Sequence, residues 1–153
     1  MEVQIRNQDE MRTAGVRHVG PYWKIGEAFR RIATWAKERG IPLENNLVGI
    51  YYDDPSATPP EQLQSDACII VPDGMSLEGE PVTEVRVPGG TYAVATHVGS
   101  YEGLGQSWGR FMGELLPATG YTPNGVGIEI YLDDCDVTPV EKVRTEMAIP
   151  VRK

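Results

Sequence analysis

The strand that organises the chain reads Gly125-Val126-Gly127-Ile128-Glu129-Ile130-Tyr131-Leu132-Asp133-Asp134. Its side chains alternate with the period of a β-strand, and the aliphatic set predicts the face that packs on a core: Val126, Ile128, Ile130 and Leu132. The opposite face carries the carboxylate of Glu129 beside the phenol of Tyr131. Burying a carboxylate is costly unless a partner meets it. Glu129 therefore faces either water or a cavity in which a cation or a hydrogen-bond donor can reach it.

The chain consists of two similar halves. Three blocks recur in the same order: His18-Val19-Gly20-Pro21-Tyr22 as His97-Val98-Gly99-Ser100-Tyr101, Ile50-Tyr51-Tyr52-Asp53-Asp54 as Ile130-Tyr131-Leu132-Asp133-Asp134, and Thr58-Pro59-Pro60-Glu61 as Thr138-Pro139-Val140-Glu141. The first block recurs after 79 residues and the other two after 80. This change predicts one inserted residue between the first and second blocks of the later copy. Two such units, related by a pseudo-twofold axis, meet at a seam.

Each half reads as strand, strand, helix, strand, strand. This order predicts an α+β fold with duplicated strand-helix-strand-strand modules, an antiparallel sheet of about eight strands and two main helices. We expect a single domain over residues 1–153, with pseudo-repeats at 1–72 and 82–153 joined by the polar linker 73–81.

Periodicity and turn residues place the individual elements. Strands are expected at 3–6, 13–19, 47–52, 67–71, 82–87, 91–98, 126–132 and 146–151, and helices at about 23–39 and 102–116. The second helix carries one apolar face: Leu104, Trp108, Phe111, Met112 and Leu115. Pro88-Gly89-Gly90 predicts a hairpin between the strands on either side of it.

Composition and charge argue against several classes of function. The net charge of −8 and the pI of about 4.7 argue against a nucleic-acid surface, which needs clustered Lys and Arg. No apolar run approaches the roughly 20 residues of a membrane helix, and the N-terminus has no apolar signal segment, so we expect a cytoplasmic protein. Cys68 and Cys135 show no metal-type spacing and are expected to be free thiols. No cofactor or metal is expected.

The repeat provides an internal comparison between equivalent positions. Tyr51 matches Tyr131, whereas Gly49 matches Glu129, so both halves offer a tyrosine and one offers a carboxylate. Phe29 matches Trp108, and Trp23 matches Glu102. A seam lined by aromatic rings and one carboxylate has the chemistry of a pocket for a flat, lipophilic cation. Ring faces attract cations by roughly 0.5–2 kcal/mol.

The candidate ligand-binding residues are Glu129, Tyr131, Tyr51, Trp108, Trp23, Tyr101 and Phe111. Each has a structural alternative. Glu129 can be an exposed residue of a half-buried strand, the tyrosines can be ordinary strand aromatics, and the helical stripe with Trp108 and Phe111 can be core. His18 and His97 occupy equivalent strand ends without a third ligand nearby in the sequence, which favours a structural role over a metal site. No residue is assigned a catalytic role.

These residues resemble the GyrI-like family, the effector-binding domain of bacterial transcription activators. The resemblance is carried by the duplicated module, by His18-Val19-Gly20-Pro21-Tyr22, by Gly49-Ile50-Tyr51-Tyr52-Asp53-Asp54-Pro55 and by Ile128-Glu129-Ile130-Tyr131-Leu132. It extends from about residue 3 to residue 151. It implies two modules with an aromatic ligand cleft between them, broad binding of lipophilic and often cationic compounds, and Glu129 with Tyr131 in the cleft.

The chain is similar to the stand-alone members, because its first strand begins at the N-terminus. The expected partners are therefore small lipophilic or cationic aromatic molecules, without direct nucleic-acid or membrane binding. Two alternatives follow from the resemblance: a hydrolase of cyclopropane-bearing alkylating toxins acting in the same cleft, and an inhibitory partner of DNA gyrase. A regulator is a further possible protein partner.

Overall fold

A computed structural model describes residues 1–153. Nine strands form the sheet: β1 (Gln4–Gln8), β2 (Met11–Val19), β3 (Leu47–Tyr51), β4 (Gln64–Ile70), β5 (Thr83–Val87), β6 (Gly90–Val98), β7 (Thr122–Pro123), β8 (Gly127–Tyr131) and β9 (Arg144–Arg152). Two helices pack on it, α1 (Gly26–Glu38) and α2 (Leu104–Arg110). The predicted α+β class, with a duplicated module and an antiparallel sheet, is confirmed. Neither helix has the length and apolar character that a membrane crossing requires.

The centre of the sheet is the β3–β8 pair, one strand from each half. The strand order is β1-β6-β9-β8-β3-β4-β2-β5, with the short β7 paired to β9. In the β3–β8 register Gly49 lies opposite Glu129, Tyr51 opposite Gly127 and Leu47 opposite Tyr131. Equivalent residues of the two halves therefore face one another about a pseudo-twofold axis that passes between Gly49 and Glu129.

The two faces of β3 and β8 have different environments. The aliphatic residues point into a core enclosed by the curled sheet: Val48, Ile50, Ile128 and Ile130. On the other face two further apolar clusters lie under the helices, one around Ile32 of α1 and one around Phe111 beside α2. The alternation predicted for the strand around Glu129 is confirmed over Gly127–Tyr131, and Glu129 lies on the helix-covered face. The core position predicted for Val126 is wrong, because this residue precedes β8 and is 38% exposed.

The first strand of each half pairs with the other half. β1 pairs with β6, and β5 pairs with β2. The hairpin predicted at Pro88-Gly89-Gly90 is therefore wrong, because β5 and β6 continue through this turn as one long bent strand. Gly89 instead crosses the connection between β1 and β2, where a Cβ would lie 2.9 Å from the backbone nitrogen of Glu10. This exchange of strands closes the curled sheet.

The second helix contains the residue that changes the repeat shift. α2 continues into a π-helical turn at Phe111–Leu115, closed by a bond from the Leu116 N–H to the Phe111 carbonyl at 2.8 Å. Before this turn the buried Ile32 matches the buried Phe111 at a shift of 79. After it the buried Ala36 matches the buried Leu116 at a shift of 80. The predicted insertion lies in this turn, and it makes Leu116 a fully buried core residue, whereas Leu115 in the predicted stripe is only partly buried.

Candidate functional site

Glu129 is a buried carboxylate with its hydrogen bonds satisfied inside the protein. Its residue is 5% exposed in the middle of β8. The Trp108 indole Nε1–H donates to Oε2 at 2.7 Å, and the Tyr131 hydroxyl donates to Oε1 at 2.6 Å. Hydrogen bonds to an ionised acceptor are about twice as strong as neutral ones. Of the two environments expected for Glu129, the structure shows an interior one that contains hydrogen-bond donors.

The two equivalent tyrosines extend this network across the axis. The hydroxyl oxygens of Tyr51 and Tyr131 lie 2.8 Å apart. Since the Tyr131 proton points at Glu129, Tyr51 donates to Tyr131. Burial, followed by the nearby Glu129 charge, raises the pKa of both phenols well above the usual value, so both remain protonated donors at neutral pH. Donors are thus aligned from Tyr51 through Tyr131 to Glu129.

Gly49 provides the space that these hydroxyls occupy. A Cβ at Gly49 would lie 2.7 Å from the Tyr51 hydroxyl oxygen and 2.9 Å from that of Tyr131. Real Cβ atoms do not make contacts this short with oxygen. The glycine opposite Glu129 is therefore part of the site, because it lets two tyrosines from different halves meet.

Trp108 reaches Glu129 because the two halves differ at two positions that lie next to each other in the fold, one on the helix and one on the strand. The equivalent of Trp108 is Phe29, which packs edge-on against Tyr131 with ring centroids 5.2 Å apart. The equivalent of Leu47 is Gly127, and a Cβ there would lie 3.2 Å from the Trp108 ring. A larger ring on the helix is matched by a smaller residue on the strand. Together with the Gly49/Glu129 difference, this exchange gives one half of the site a glutamate–indole pair.

Two further tyrosines cover the network at equivalent positions. Tyr22 packs edge-on against Tyr51 at 4.9 Å, and Tyr101 against Tyr131 at 5.6 Å. The Tyr22 hydroxyl is held by the backbone N–H and carbonyl of Asp53, both at 2.9 Å. Tyr101 makes no backbone bond of this kind and is 40% exposed. Tyr101 is therefore the less constrained of the two rings and lies at the surface of the site.

The structure separates the seven predicted site residues into three groups. Five of them form one contiguous cluster: Glu129, Tyr131, Tyr51, Trp108 and Tyr101. Phe111 is fully buried and supports the Trp108 ring at a centroid distance of 5.7 Å. Trp23 is 77% exposed in a short 3-10 turn and pairs with none of these rings. The sequence did not single out Phe29 and Tyr22, although the repeat relates them to Trp108 and Tyr101.

The histidines, the cysteines and the acidic loop have separate environments. The His18 Nε2–H donates to the Pro21 carbonyl at 2.9 Å and the His97 Nε2–H to the Ser100 carbonyl at 2.8 Å, which fixes equivalent strand–helix junctions. Cys68 is a buried free thiol, whereas Cys135 is an exposed one. Cys135 lies between Asp134 and Asp136, and potential ligand atoms of the three residues lie within 4.8 Å of one another. Asp134 also closes its own turn by accepting the Asp136 N–H at 2.9 Å.

Two surface depressions lie away from Glu129. One, of about 480 Å³, follows the outer face of α1 around Arg31 and Trp35. The other, of about 430 Å³, lies between Gly40 and Met75. At Glu129 itself the aromatic rings pack on one another, so the site is a compact, hydrogen-bonded cluster.

Comparison of the sequence with known protein families assigns the chain to one of them. The GyrI-like small-molecule-binding domain matches residues 1–152. The chain belongs to the GyrI-like family. A DNA gyrase inhibitor of Serratia proteamaculans (strain 568) is 36% identical over 141 residues, which cover 89% of this chain and 90% of the relative.

Solved structures show the same fold at low sequence identity. The EcmrR C-terminal domain superposes with a TM-score of 0.78 at 18% identity, covering 99% of this chain and 98% of the other. SAV2435 bound to tetraphenylphosphonium superposes with a TM-score of 0.69 at 15% identity, covering 99% and 94%. This GyrI-like domain therefore has Glu129 and its aromatic cluster in a fold shared with the EcmrR C-terminal domain and SAV2435.

Proposed function

We propose that this protein binds lipophilic aromatic cations, with Glu129 as the charged anchor. The observation that carries the proposal is a carboxylate buried beside four aromatic rings: Trp108, Tyr131, Tyr51 and Tyr101. A carboxylate in a dry, low-dielectric site attracts a cation more strongly than an exposed one does. The family assignment to small-molecule-binding domains and the tetraphenylphosphonium bound to the related fold of SAV2435 support this ligand class.

Ligand entry requires the aromatic side chains to separate. Tyr101 and Trp108 are the rings to move first. Tyr101 is partly exposed and lacks the backbone bonds of Tyr22, and Trp108 occupies one oxygen of Glu129. A bound cation then replaces the electrostatic contribution of the indole N–H and packs between the rings. A cytoplasmic location is part of this proposal and is supported by the two free cysteines.

The test compares a cation with a neutral molecule of similar shape. Tetraphenylphosphonium and triphenylphosphine oxide are titrated into the wild-type protein, Glu129→Gln and the control Glu141→Gln, which removes an exposed acid elsewhere. We expect Glu129→Gln to weaken phosphonium binding by about 10–100-fold, as for a lost charge-assisted contact. Wild-type affinity in Glu129→Gln would overturn the proposal, as would equal affinity of the wild-type protein for the neutral compound.

A protein partner is the second candidate function. Its support is the 36% identity over 90% of a relative named DNA gyrase inhibitor. Under this alternative the protein acts through its surface, so inhibition of gyrase supercoiling would be retained in Glu129→Gln. Inhibition that disappears in this variant would instead link the two functions through the aromatic cluster.

A further inference from the structure

Two buried hydroxyls lack hydrogen-bond partners at equivalent positions of the two halves. Ser65 in β4 and Thr145 in β9 are 80 residues apart and are fully buried. Neither Ser65 Oγ nor Thr145 Oγ1 has a partner within hydrogen-bonding geometry. Because almost all buried polar groups in proteins are hydrogen-bonded, a symmetric pair of exceptions calls for a physical explanation.

Both hydroxyls lie on the sheet face that carries Glu129. Ser65 pairs directly with Tyr51 on one side and with His18 on the other. Thr145 pairs directly with Tyr131 and with His97. Thr145 is one strand across and two residues along from Glu129, which corresponds to a Cα distance of about 8 Å in a sheet. The two hydroxyls therefore flank the aromatic cluster, each beside one of its central tyrosines.

The polar side chains around the Thr145 hydroxyl are committed to other partners. The Tyr131 hydroxyl donates to Glu129, and the Tyr51 hydroxyl donates to Tyr131. His97 uses Nε2 on the Ser100 carbonyl and Nδ1 on the Ser107 hydroxyl at 2.6 Å. Rotating the Thr145 hydroxyl therefore finds no partner among these neighbours. Thr13 shows the contrast, since it is equally buried and its hydroxyl donates to the Val85 carbonyl at 2.7 Å.

We propose that Ser65 and Thr145 form two hydrogen-bonding subsites beside Glu129, and that the preferred ligand is a lipophilic cation with a hydroxyl group on an aromatic ring next to its charge. This inference rests on the proposed function. When the rings of the aromatic cluster separate to admit a ligand, the hydroxyls of Ser65 and Thr145 become available to it. A ligand hydroxyl satisfies a group that the free protein leaves unpaired, and a purely hydrocarbon ring does not.

The experiment compares tetraphenylphosphonium with (4-hydroxyphenyl)triphenylphosphonium, which differ by one hydroxyl. We expect the wild-type protein to bind the hydroxylated cation about 5–10-fold more tightly, as for one net hydrogen bond. The double variant Ser65→Ala/Thr145→Val should lose this preference and keep its affinity for tetraphenylphosphonium within about twofold, because it removes hydroxyls with little change of shape. Calorimetric titration measures both ligands.

Thermal unfolding of the free protein provides a second readout. Thr145→Val should leave the melting temperature unchanged or raise it, whereas Thr13→Val should lower it, because Thr13 has a partner. A lower melting temperature for Thr145→Val would overturn the inference, because it would reveal a structural partner such as a buried water. So would equal binding of the two cations by the wild-type protein, or a preference that persists in the double variant.

The failures of the two proposals are distinguishable. If Glu129→Gln binds tetraphenylphosphonium as the wild type does, the proposed function fails and the subsites fail with it. If that binding depends on Glu129 but the hydroxyl preference is absent or survives the double variant, only the subsites are refuted.

Discussion

Glu129 and Gly49 occupy equivalent positions and face one another across the β3–β8 pair. One supplies the buried carboxylate of the cluster, and the other supplies the space in which Tyr51 and Tyr131 meet. The chemistry of the site at the scale of single residues thus depends on a difference between two otherwise similar halves. Neither residue could be exchanged for its equivalent without disturbing the tyrosine pair.

Gly49→Ala tests the importance of this space. The new Cβ would lie under 3 Å from both tyrosine hydroxyls, so we expect the free energy of unfolding to fall by about 1–3 kcal/mol, as in other overpacked sites. Urea unfolding measures the change. Gly105→Ala is the control, because it lies in α2 with no heavy atom within 4 Å of its Cβ position. An alanine at position 49 that is tolerated as well as the one at 105 would contradict this description of the site.

The sequence predicted part of the site for a clear physical reason. The period of a strand placed Glu129 and Tyr131 on one face, and the repeat added Tyr51. The side chain of Trp108 could not be assigned in the same way, because a helical stripe has the same pattern whether it faces core or ligand. Its contact with Glu129 depends on the space above Gly127, which becomes apparent only when β8 and α2 are packed together.

The π-helical turn after α2 is the main difference between the two helices. Gly40 and Gly120 are equivalent positions, 80 residues apart. Each ends its helical segment with a positive φ, of 71° and 81° respectively. The earlier positions follow the shift of 79, so the turn at Phe111–Leu115 absorbs one residue and restores the register. The inserted residue was visible in the spacing of the repeat. Its position was not, because neither flanking block lies inside the helix.

Deleting Gly113 tests whether the turn holds a dispensable residue. We expect cooperative unfolding with a melting temperature lowered by only a few degrees, since α1 spans the equivalent positions with one residue fewer. Circular dichroism and thermal unfolding measure this result.

The matched control is deletion of the exposed Thr34 from α1. The loss of one residue there rotates the following apolar positions by about 100° and should abolish cooperative folding. Equal damage by the two deletions would mean that the π-helical turn is needed in its own right.

Across the whole molecule, the exchanged strands bind the halves to one another. β1 belongs to the first half and pairs with β6, while β5 belongs to the second half and pairs with β2. The sequence could not predict this pairing, because the Pro-Gly-Gly turn is typical of a hairpin and strand partners are decided by the curl of the complete sheet. Each half alone would lack the partner for one of its strands.

Separate expression of residues 1–72 and 82–153 tests this dependence. We expect neither fragment to unfold cooperatively as a monomer, and a 1:1 mixture to recover a cooperative transition. Size-exclusion chromatography and circular dichroism measure assembly and unfolding. The control is the folded full-length protein cleaved only within the linker 73–81, whose two fragments should remain associated. A fragment that folds alone as a monomer would show that the exchange is dispensable.

The register at the axis has a consequence for how such a protein could arise. Two identical copies of the second half, assembled as a symmetric dimer, would place Glu129 directly opposite its own copy. Like charges directly opposite one another on neighbouring strands are destabilising, and burial makes their repulsion stronger. When the two halves are joined in one polypeptide, their sequences can differ. One half can then have a glutamate where the other has a glycine. Covalent fusion thus permits a single carboxylate at the symmetry axis, whereas a homodimer of this fold would have either two or none.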